Sequence, residues 1–239
     1  MRIEIDTHTH TIESGHAYSS MKEMIIAAKK KGLKGIAITD HAPEMPGGPH
    51  EYYFTNLRVV PKEIEGVRVL CGVELNIMDE AGNVDLPETV LKALDLKIAS
   101  IHTPCFMRDK EHEININTIT NAYERVMENP NIDIIGHPDD SRLPIDYKRL
   151  VKLAVKTGTL LELNNSSLSP VSHREGAKEN VEILLRLCKE EGAMIVVGTD
   201  AHIEQAVGNI DYALERLEAV DFPEELVANS NLEKFLALL

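Results

Sequence analysis

The chain opens with Arg2-Ile3-Glu4-Ile5-Asp6-Thr7-His8-Thr9-His10, and the same arrangement of residues returns later at the ends of other strands. Residues 2–5 alternate polar and apolar side chains, which is typical of a β-strand, and side chains two apart in a strand lie on one face. Asp6, His8 and His10 are therefore expected to lie side by side. Two imidazoles so placed can bind a metal ion with a nearby carboxylate. An isolated His-x-His pair is equally compatible with ordinary residues at a strand end.

Short apolar runs that end in histidine or a carboxylate recur along the chain. These predicted strands are 35–41 ending in Asp40-His41, 67–74 ending in Glu74, 96–102 ending in His102, 133–137 ending in His137, and 193–202 ending in Asp200-Ala-His202. A further strand, 159–164, ends in polar residues. Helical periodicity is predicted between and after the strands, at 19–31, 87–94, 115–128, 146–157, 175–191, 204–219 and 231–238. In the first of these, Ser20 and Glu23 make a possible capping box, and Gly32 is expected to end the helix. Alternating strands and helices favour a parallel sheet that closes, or nearly closes, into a barrel.

The strand ends carry the functional prediction. In a parallel barrel the carboxyl ends of all strands lie on one face, where active sites are built. Each histidine alone is compatible with a hydrogen-bonded core or surface residue, but six strand ends bearing such residues favour a metal cluster. Imidazole and carboxylate ligands without thiolate suit zinc, manganese or iron. Because there are more ligands than one tetrahedral ion uses, two or three ions are expected, with Glu74 able to bridge a pair.

Composition narrows the class of protein. The 239 residues include 39 Asp and Glu against 25 Lys and Arg, a net charge of −14 that argues against general nucleic-acid binding. Three cysteines without Cys-x-x-Cys spacing predict packed, reduced thiols. We find no signal peptide pattern and no apolar run of membrane-spanning length, so we expect a soluble, cytoplasmic protein. With no linker composition, residues 1–239 are expected to form one domain, and a homo-oligomer remains compatible with the sequence.

Several further residues are weaker candidates. Arg174, after the sixth predicted strand, and Arg108, after the strand that ends in His102, are candidates for binding an anionic group of a substrate; solvated or helix-start arginines are the alternative. Residues 43–58, rich in proline, glycine and aromatics, are predicted to form a long ordered loop, which is often functional. Its His50, Tyr52 and Tyr53 are lid candidates or packing residues. His112 is predicted to be a surface residue, and His173 is left without a role.

The motifs together resemble a known family. They are His8-Thr-His10, Ser14-Gly-His16-Ala-Tyr-Ser19, Thr39-Asp40-His41, Gly72-Val-Glu74, His102, Gly136-His137-Pro138 and Thr199-Asp200-Ala-His202. In this order they resemble the polymerase-and-histidinol-phosphatase (PHP) domain. The Ser-Gly-His-Ala-Tyr-Ser motif and the loop 45–50 are most similar to its small stand-alone YcdX-type phosphatases. The resemblance runs from residue 2 to the final helix.

The resemblance implies a distorted seven-stranded (β/α)7 TIM-like barrel that holds about three metal ions, with Zn²⁺ expected and Mn²⁺ or Fe as alternatives. By this analogy the ligand sets are His8, His10, Glu74 and Asp200 for one ion, Glu74, His102 and His137 for a second, and His16, His41 and His202 for a third. Asp6 and Asp40 are expected to support these ligands from behind. His10, Glu74 and Asp200 are the implied catalytic residues.

The implied activity is hydrolysis of a small phosphomonoester by a water that the metal ions activate. Three alternatives stay open: a phosphodiesterase or exonuclease, a histidinol phosphatase, and a non-catalytic domain in which metal ions only stabilise the fold. The expected partner is a small phosphorylated substrate, with no stable nucleic-acid or membrane binding.

Overall fold

The computed structural model describes residues 1–106 and 114–239, and within them seven parallel strands with surrounding helices form a nearly closed TIM-like barrel. The strands are β1 (Ile5–Asp6), β2 (Gly35–Ile38), β3 (Glu63–Ile64), β4 (Val67–Asn76), β5 (Leu96–Ser100), β6 (Ile134–Ile135), β7 (Leu160–Asn164) and β8 (Ile195–Gly198). The barrel order is β1-β2-β4-β5-β6-β7-β8, and short β3 pairs antiparallel with β4. The predicted fold class is therefore confirmed.

The barrel is completed between its first and last strands. Thr9, just beyond β1, bridges Ala201, just beyond β8, in a parallel manner. His10 N donates to Ala201 O at 2.8 Å, and Asp200 N donates to His8 O at 2.9 Å. These bonds bring residues from the two ends of the chain together at one rim of the barrel.

The helices alternate with the strands as predicted, and two short helices, Glu51–Asn56 and Thr103–Phe106, were not predicted. The helices are α1 (Met21–Lys31), α2 (Glu51–Asn56), α3 (Glu88–Leu91), α4 (Thr103–Phe106), α5 (Ile116–Met127), α6 (Tyr147–Thr157), α7 (Ala177–Glu191), α8 (Asp211–Ala219) and α9 (Leu232–Leu236). Ser20 and Glu23 form the predicted capping box at the start of α1, and Gly32 ends this helix in a left-handed conformation. Local capping therefore matches the sequence signals at this helix.

The prediction of a continuous loop at 43–58 is wrong in part, because this segment contains α2. The ring of His50 accepts a hydrogen bond from Tyr52 N at 3.2 Å and so caps α2, and Phe54 anchors the helix in the core. The predicted helix 204–219 is interrupted: a short 3-10 turn at Glu204–Ala206 precedes Gly208, which has φ +67°, and α8 begins only at Asp211. The strand β3 was not predicted, and α3 is shorter than expected.

The barrel interior is filled at the end opposite the rim that carries His8 and Asp200. Its apolar cluster includes Ile5, Leu70, Ile98 and Val196 from four strands, and Phe235 of α9 packs into it with no exposed surface. Burial of a phenylalanine contributes about 2 kcal/mol to folding. The final helix therefore closes this end of the barrel, and the polar site lies at the other. No described helix combines the length and apolar character needed to cross a membrane.

Candidate metal centre

The carboxyl ends of the strands bring the predicted ligands together. His8 and His10 follow β1, His41 follows β2, Glu74 lies near the end of β4, His102 follows β5, His137 follows β6, and Asp200 and His202 follow β8. His16 comes from the loop before α1. Strand alternation and the parallel order explain this convergence, because each run ends at the same rim.

Glu74 lies at the centre of the group, and its two oxygens face different histidines. Oε1 lies 2.7 Å from His137 Nε2 and 3.3 Å from His102 Nε2. Oε2 lies 2.9 Å from His41 Nδ1, 3.3 Å from His8 Nε2 and 3.4 Å from His10 Nε2. The side chain is fully buried. A carboxylate so placed can bridge two cations.

Asp200 faces the same centre from the opposite strand. Its Oδ1 lies 3.2 Å from His10 Nε2 and 3.8 Å from His8 Nε2. The Nε2 atoms of these two histidines lie 3.1 Å apart. Potential ligand atoms of His8, His10 and Asp200 all lie within 4.8 Å of one another. The same holds for His41 with Glu74 and His102, and for His10 with His41 and His202.

Hydrogen bonds behind the rings determine which nitrogen carries the proton. His8 Nδ1 lies 2.7 Å from a Glu162 oxygen, and His202 Nδ1 lies 2.9 Å from the carbonyl oxygen of Asp200. Since both partners are acceptors, each Nδ1 carries hydrogen, and each ring in its neutral form presents the lone pair of Nε2. This is the tautomer that metal-binding histidines adopt when an acceptor orients them. Burial opposes a charge on His8, but Glu162, Glu74 and Asp200 raise the pKa of its ring well above the ordinary value, so a metal ion would displace a proton from its Nε2.

Two more rings are oriented through neutral side chains. His102 Nδ1 lies 2.8 Å from Asn76 Oδ1, and Asn76 Nδ2 donates to Asp85 at 2.6 Å, which leaves Oδ1 as the acceptor. His10 Nδ1 lies 3.1 Å from Ser14 Oγ, whose hydroxyl donates to Asp40 at 2.7 Å. Both rings therefore direct an unprotonated Nε2 towards the carboxylates.

His16 approaches from the side. Its ring stacks on His41 and lies against His202, with centroid distances of 4.9 Å in each case. The loop that carries it packs backbone to backbone against a second loop: an added Cβ on Gly15, which has φ +78°, would lie 2.6 Å from Gly47 O. Ser19, the last residue of the same motif, is hydrogen-bonded to Glu204 beyond β8. These contacts hold His16 beside His202.

The ionisable side chains of the site shift one another's pKa values. Burial opposes ionisation of Glu74, but the imidazoles of His8, His102 and His41 hold its pKa well below the ordinary value. The pKa of Asp200 is likewise well below its ordinary value, because His8, His10 and Arg174 outweigh burial. Burial and the rings of His41 and His202 hold the pKa of His10 well below normal. The result is a set of ionised carboxylates and a neutral His10.

These residues fit bound divalent cations. His41 Nδ1 and Glu74 Oε2 are buried and make no hydrogen bond within residues 1–106 and 114–239. Unpartnered buried polar atoms are costly unless an ion or water satisfies them. His8 Nε2 and His10 Nε2 lie within hydrogen-bond distance of each other, so one proton or one cation between them satisfies both. The donor set of imidazole and carboxylate is that of zinc, manganese or iron sites.

Two of the four described non-glycine residues with positive φ belong to this cluster. His137 has φ +28° and Asp200 has φ +55°, in the left-handed region that non-glycine residues rarely adopt. Such conformations cost about 1–3 kcal/mol each and persist only where neighbouring contacts hold them. Both residues belong to the cluster.

A cavity of about 840 Å³ opens over the cluster, a size typical of small-molecule sites. Its wall includes Arg142, His173 and Arg174. Arg174 Nη2 lies 3.3 Å from Asp200 Oδ2, and its Nη1 donates to Ser167 Oγ at 2.9 Å. The structure thus places Arg174 beside the cluster. Arg108 and His112 lie outside the described residues.

The two carboxylates that were expected to support the ligands from behind, Asp6 and Asp40, make different contacts. Asp40 reaches His10 through Ser14 and accepts hydrogen bonds from Thr11 and from Tyr53 Oη at 2.5 Å. Asp6 instead binds main-chain and hydroxyl groups of Thr199 and the amide of Gly208, so it secures the backbone around Asp200.

Two partners on β7, Glu162 and Asn164, were not singled out by sequence analysis. Asn164 Nδ2 lies 3.3 Å from Asp200 Oδ2, and Glu162 lies behind His8. The sequence did hold a signal for them, because they lie two residues apart in a strand whose end was noted as polar.

A barrel with a buried imidazole and carboxylate cluster on its carboxyl-terminal rim defines a class of α/β-barrel proteins whose rim can hold metal ions. The chain belongs to the PHP domain family, whose model matches residues 6–195. A "Probable phosphatase" of Caldanaerobacter subterraneus is 49% identical over 98% of this chain and 90% of its own length. Another, of a Thermoanaerobacter species, is 47% identical over 98% of this chain and 93% of its own length.

Among solved structures, the chain is similar to the histidinol phosphate phosphatase of Lactococcus lactis in complex with zinc, L-histidinol and phosphate. The TM-score is 0.64 at 17% identity, covering 93% of this chain and 95% of that one. At this identity the likeness supports the fold alone.

Proposed function

We propose that the chain, as a single catalytic domain of residues 1–239, is a metal-dependent phosphatase that hydrolyses small phosphomonoesters and holds about three divalent ions. The observation that carries the proposal is Glu74, a buried carboxylate whose two oxygens face five histidines and whose Oε2 has no hydrogen-bond partner among the described residues. The names of the near full-length relatives support phosphate-ester hydrolysis.

The proposed ligand sets are those that the family resemblance implies. His8, His10, Asp200 and Glu74 would hold one ion, Glu74, His102 and His137 a second, and His16, His41 and His202 a third. His41 lies between the last two positions, because its Nδ1 is 2.9 Å from Glu74 Oε2. Zinc is the proposed metal, with manganese or iron as alternatives. When bound, such ions lower the pKa of water and neutralise phosphate charge.

The chain's own side chains supply the remaining functions. Arg174 lines the cavity and is held by Asp200 and Ser167, so its guanidinium is oriented to donate hydrogen bonds to a phosphate group. Asp200, ionised because of its neighbours, presents Oδ1 to the cluster and is the proposed acceptor of the water proton. The cavity volume exceeds that of a phosphate and leaves room for a leaving group.

The first experiment is elemental analysis of protein purified without chelator, combined with hydrolysis of p-nitrophenyl phosphate before and after metal removal. We expect about three equivalents of metal and phosphate release that depends on it. Bis(p-nitrophenyl) phosphate, an oligonucleotide ladder and histidinol phosphate belong in the same assay. Turnover of the diester or the oligonucleotides alone would support the diesterase alternative. Metal without any hydrolysis would support a metal-stabilised, non-catalytic domain.

A further inference from the structure

Strand β7 contributes none of the nine proposed ligands, yet its inward face touches three of them. Glu162 and Asn164 are two apart and so share this face. Both are almost completely buried. A buried carboxylate without a cation beside it is costly, so its partners indicate its role.

Glu162 uses both oxygens on two different ligands. Oε1 lies 2.7 Å from His8 Nδ1, and Oε2 accepts a hydrogen bond from His137 N at 2.8 Å. Asn164 Nδ2 donates to Oε2 at 3.1 Å. The carboxylate thus receives three N–H donors, and the second bond supports His137 in its left-handed conformation with φ +28°.

The neighbouring strand leaves space for this contact. An added Cβ on Gly198 of β8 would overlap Glu162 Oε1 and would lie 2.9 Å from His8 Cβ. A glycine here therefore allows Glu162 to lie directly behind His8. The arrangement has the form of a carboxylate–histidine pair behind a metal, in which the carboxylate fixes the ring's tautomer and orientation.

We infer that Glu162 is a positioning residue for the metal centre: it holds His8 with hydrogen on Nδ1 and Nε2 free, and it holds the backbone of His137. The inference rests on the proposed function only in that the cluster binds metal. A glutamine at this position cannot replace the carboxylate, because its amide group would face either His8 Nδ1–H or His137 N–H, both of which are donors. Either placement removes one of the two supports.

The test is zinc binding by Glu162→Gln, measured as stoichiometry by elemental analysis and as Kd by titration of metal-free protein. We expect a 10–100-fold weaker Kd for one ion, the range typical of lost second partners of metal ligands. Asp133→Asn is the matched control, because Asp133 is a largely buried carboxylate that binds Lys97 at the other end of the barrel. It should bind zinc as the wild type does.

Two further readouts separate positioning from a general loss of stability. In a His8→Ala background the part of the effect that acts through His8 should be absent, so Glu162→Gln should weaken zinc binding by a smaller factor than in the wild-type background, whereas a merely structural effect would be the same in both backgrounds. Long-range ¹H–¹⁵N spectra of the zinc-loaded protein should show His8 with hydrogen on Nδ1 in the wild type. In Glu162→Gln the signals of the two His8 ring nitrogens should change. If Glu162→Gln fails to fold, Glu162→Asp, which withdraws the carboxylate by one methylene, should show the same defect.

Unchanged zinc stoichiometry and Kd in Glu162→Gln would overturn the inference. Zinc binding by the wild type without phosphate-ester hydrolysis would overturn only the proposed phosphatase. A wild-type protein that binds no zinc, manganese or iron would overturn both.

Discussion

Nε2 of His8 lies 3.1 Å from Nε2 of His10, although the hydrogen bonds of both rings direct their protons to Nδ1. Burial opposes a charge on His8, but the carboxylates of Glu162, Glu74 and Asp200 raise the pKa of its ring well above the ordinary value, so without metal a proton on His8 Nε2 joins the two nitrogens. A bound cation would take the place of this proton. Glu74 Oε2 and Asp200 Oδ1 are within 3.8 Å of both nitrogens. The predictions below follow from this arrangement.

Replacing the central carboxylate should abolish the proposed activity. Glu74→Gln keeps the shape but removes the charge that would bridge two ions, and we expect kcat/KM to fall by about 1000-fold, corresponding to several kcal/mol of metal-derived stabilisation. Glu182→Gln, on the exposed face of α7, is the control and should retain full activity. Full activity of Glu74→Gln with p-nitrophenyl phosphate would refute the assigned centre. His10→Ala should behave in the same way.

Arg174 should affect substrate binding. Lysine keeps the charge but cannot form the paired hydrogen bonds of the guanidinium, so Arg174→Lys is expected to raise KM by about 10-fold or more. Inhibition by inorganic phosphate should weaken by a similar factor. Arg186→Lys, on the exposed face of α7, is the matched control. An unchanged KM and phosphate affinity would show that Arg174 only supports Asp200.

The packing of Gly15 against Gly47 should be required for the third metal position. Gly15→Ala would push its Cβ to 2.6 Å from Gly47 O, and we expect displacement of His16 and loss of about one of three metal equivalents. Gly158→Ala is the control, since Gly158 has nearly the same φ of +79° but nothing within 4 Å of an added Cβ. Equal metal content in the two variants would contradict the role given to this loop contact.

The cysteines should report opening of the fold. All three are free and buried, and burial raises the pKa of Cys188 to about 12. Because the folded-state pKa lies above the ordinary value of about 8.5, the stability that this thiol contributes is complete below that value and is lost as pH rises through about 12. Alkylation at pH 8 should therefore be slow until the protein unfolds.

Zinc should slow the alkylation further and raise Tm by about 5–10 °C at a hundredfold excess over Kd. Chelator should reverse both effects. Rapid alkylation of native protein, or a Tm indifferent to zinc and chelator, would contradict metal-linked stability.

Local patterns predicted much of this molecule. Apolar runs ending in histidine or carboxylate marked the strands, and Ser20 with Glu23 marked the start of α1. Prediction failed where local signals were ambiguous. Proline and glycine around 43–50 suggested a continuous loop, but burial of Phe54 and capping by His50 stabilise α2. The periodicity across 204–219 did not show that Gly208 would interrupt the helix.

The alternation of strands and helices, and the residues at the strand ends, could be predicted from the sequence, because strand and helix periodicities are local properties of the chain. Which of those side chains contact one another depends on the tertiary structure. The contact of His8 with Glu162 joins positions 154 residues apart, and the two-sided role of Glu74 depends on the register of β4 against its neighbours. Such contacts are set by strand order, register and packing, which no single segment encodes. For that reason the candidate ligands and the support from Asp40 could be predicted from the sequence, whereas the contacts of Glu162 and Asn164 could not.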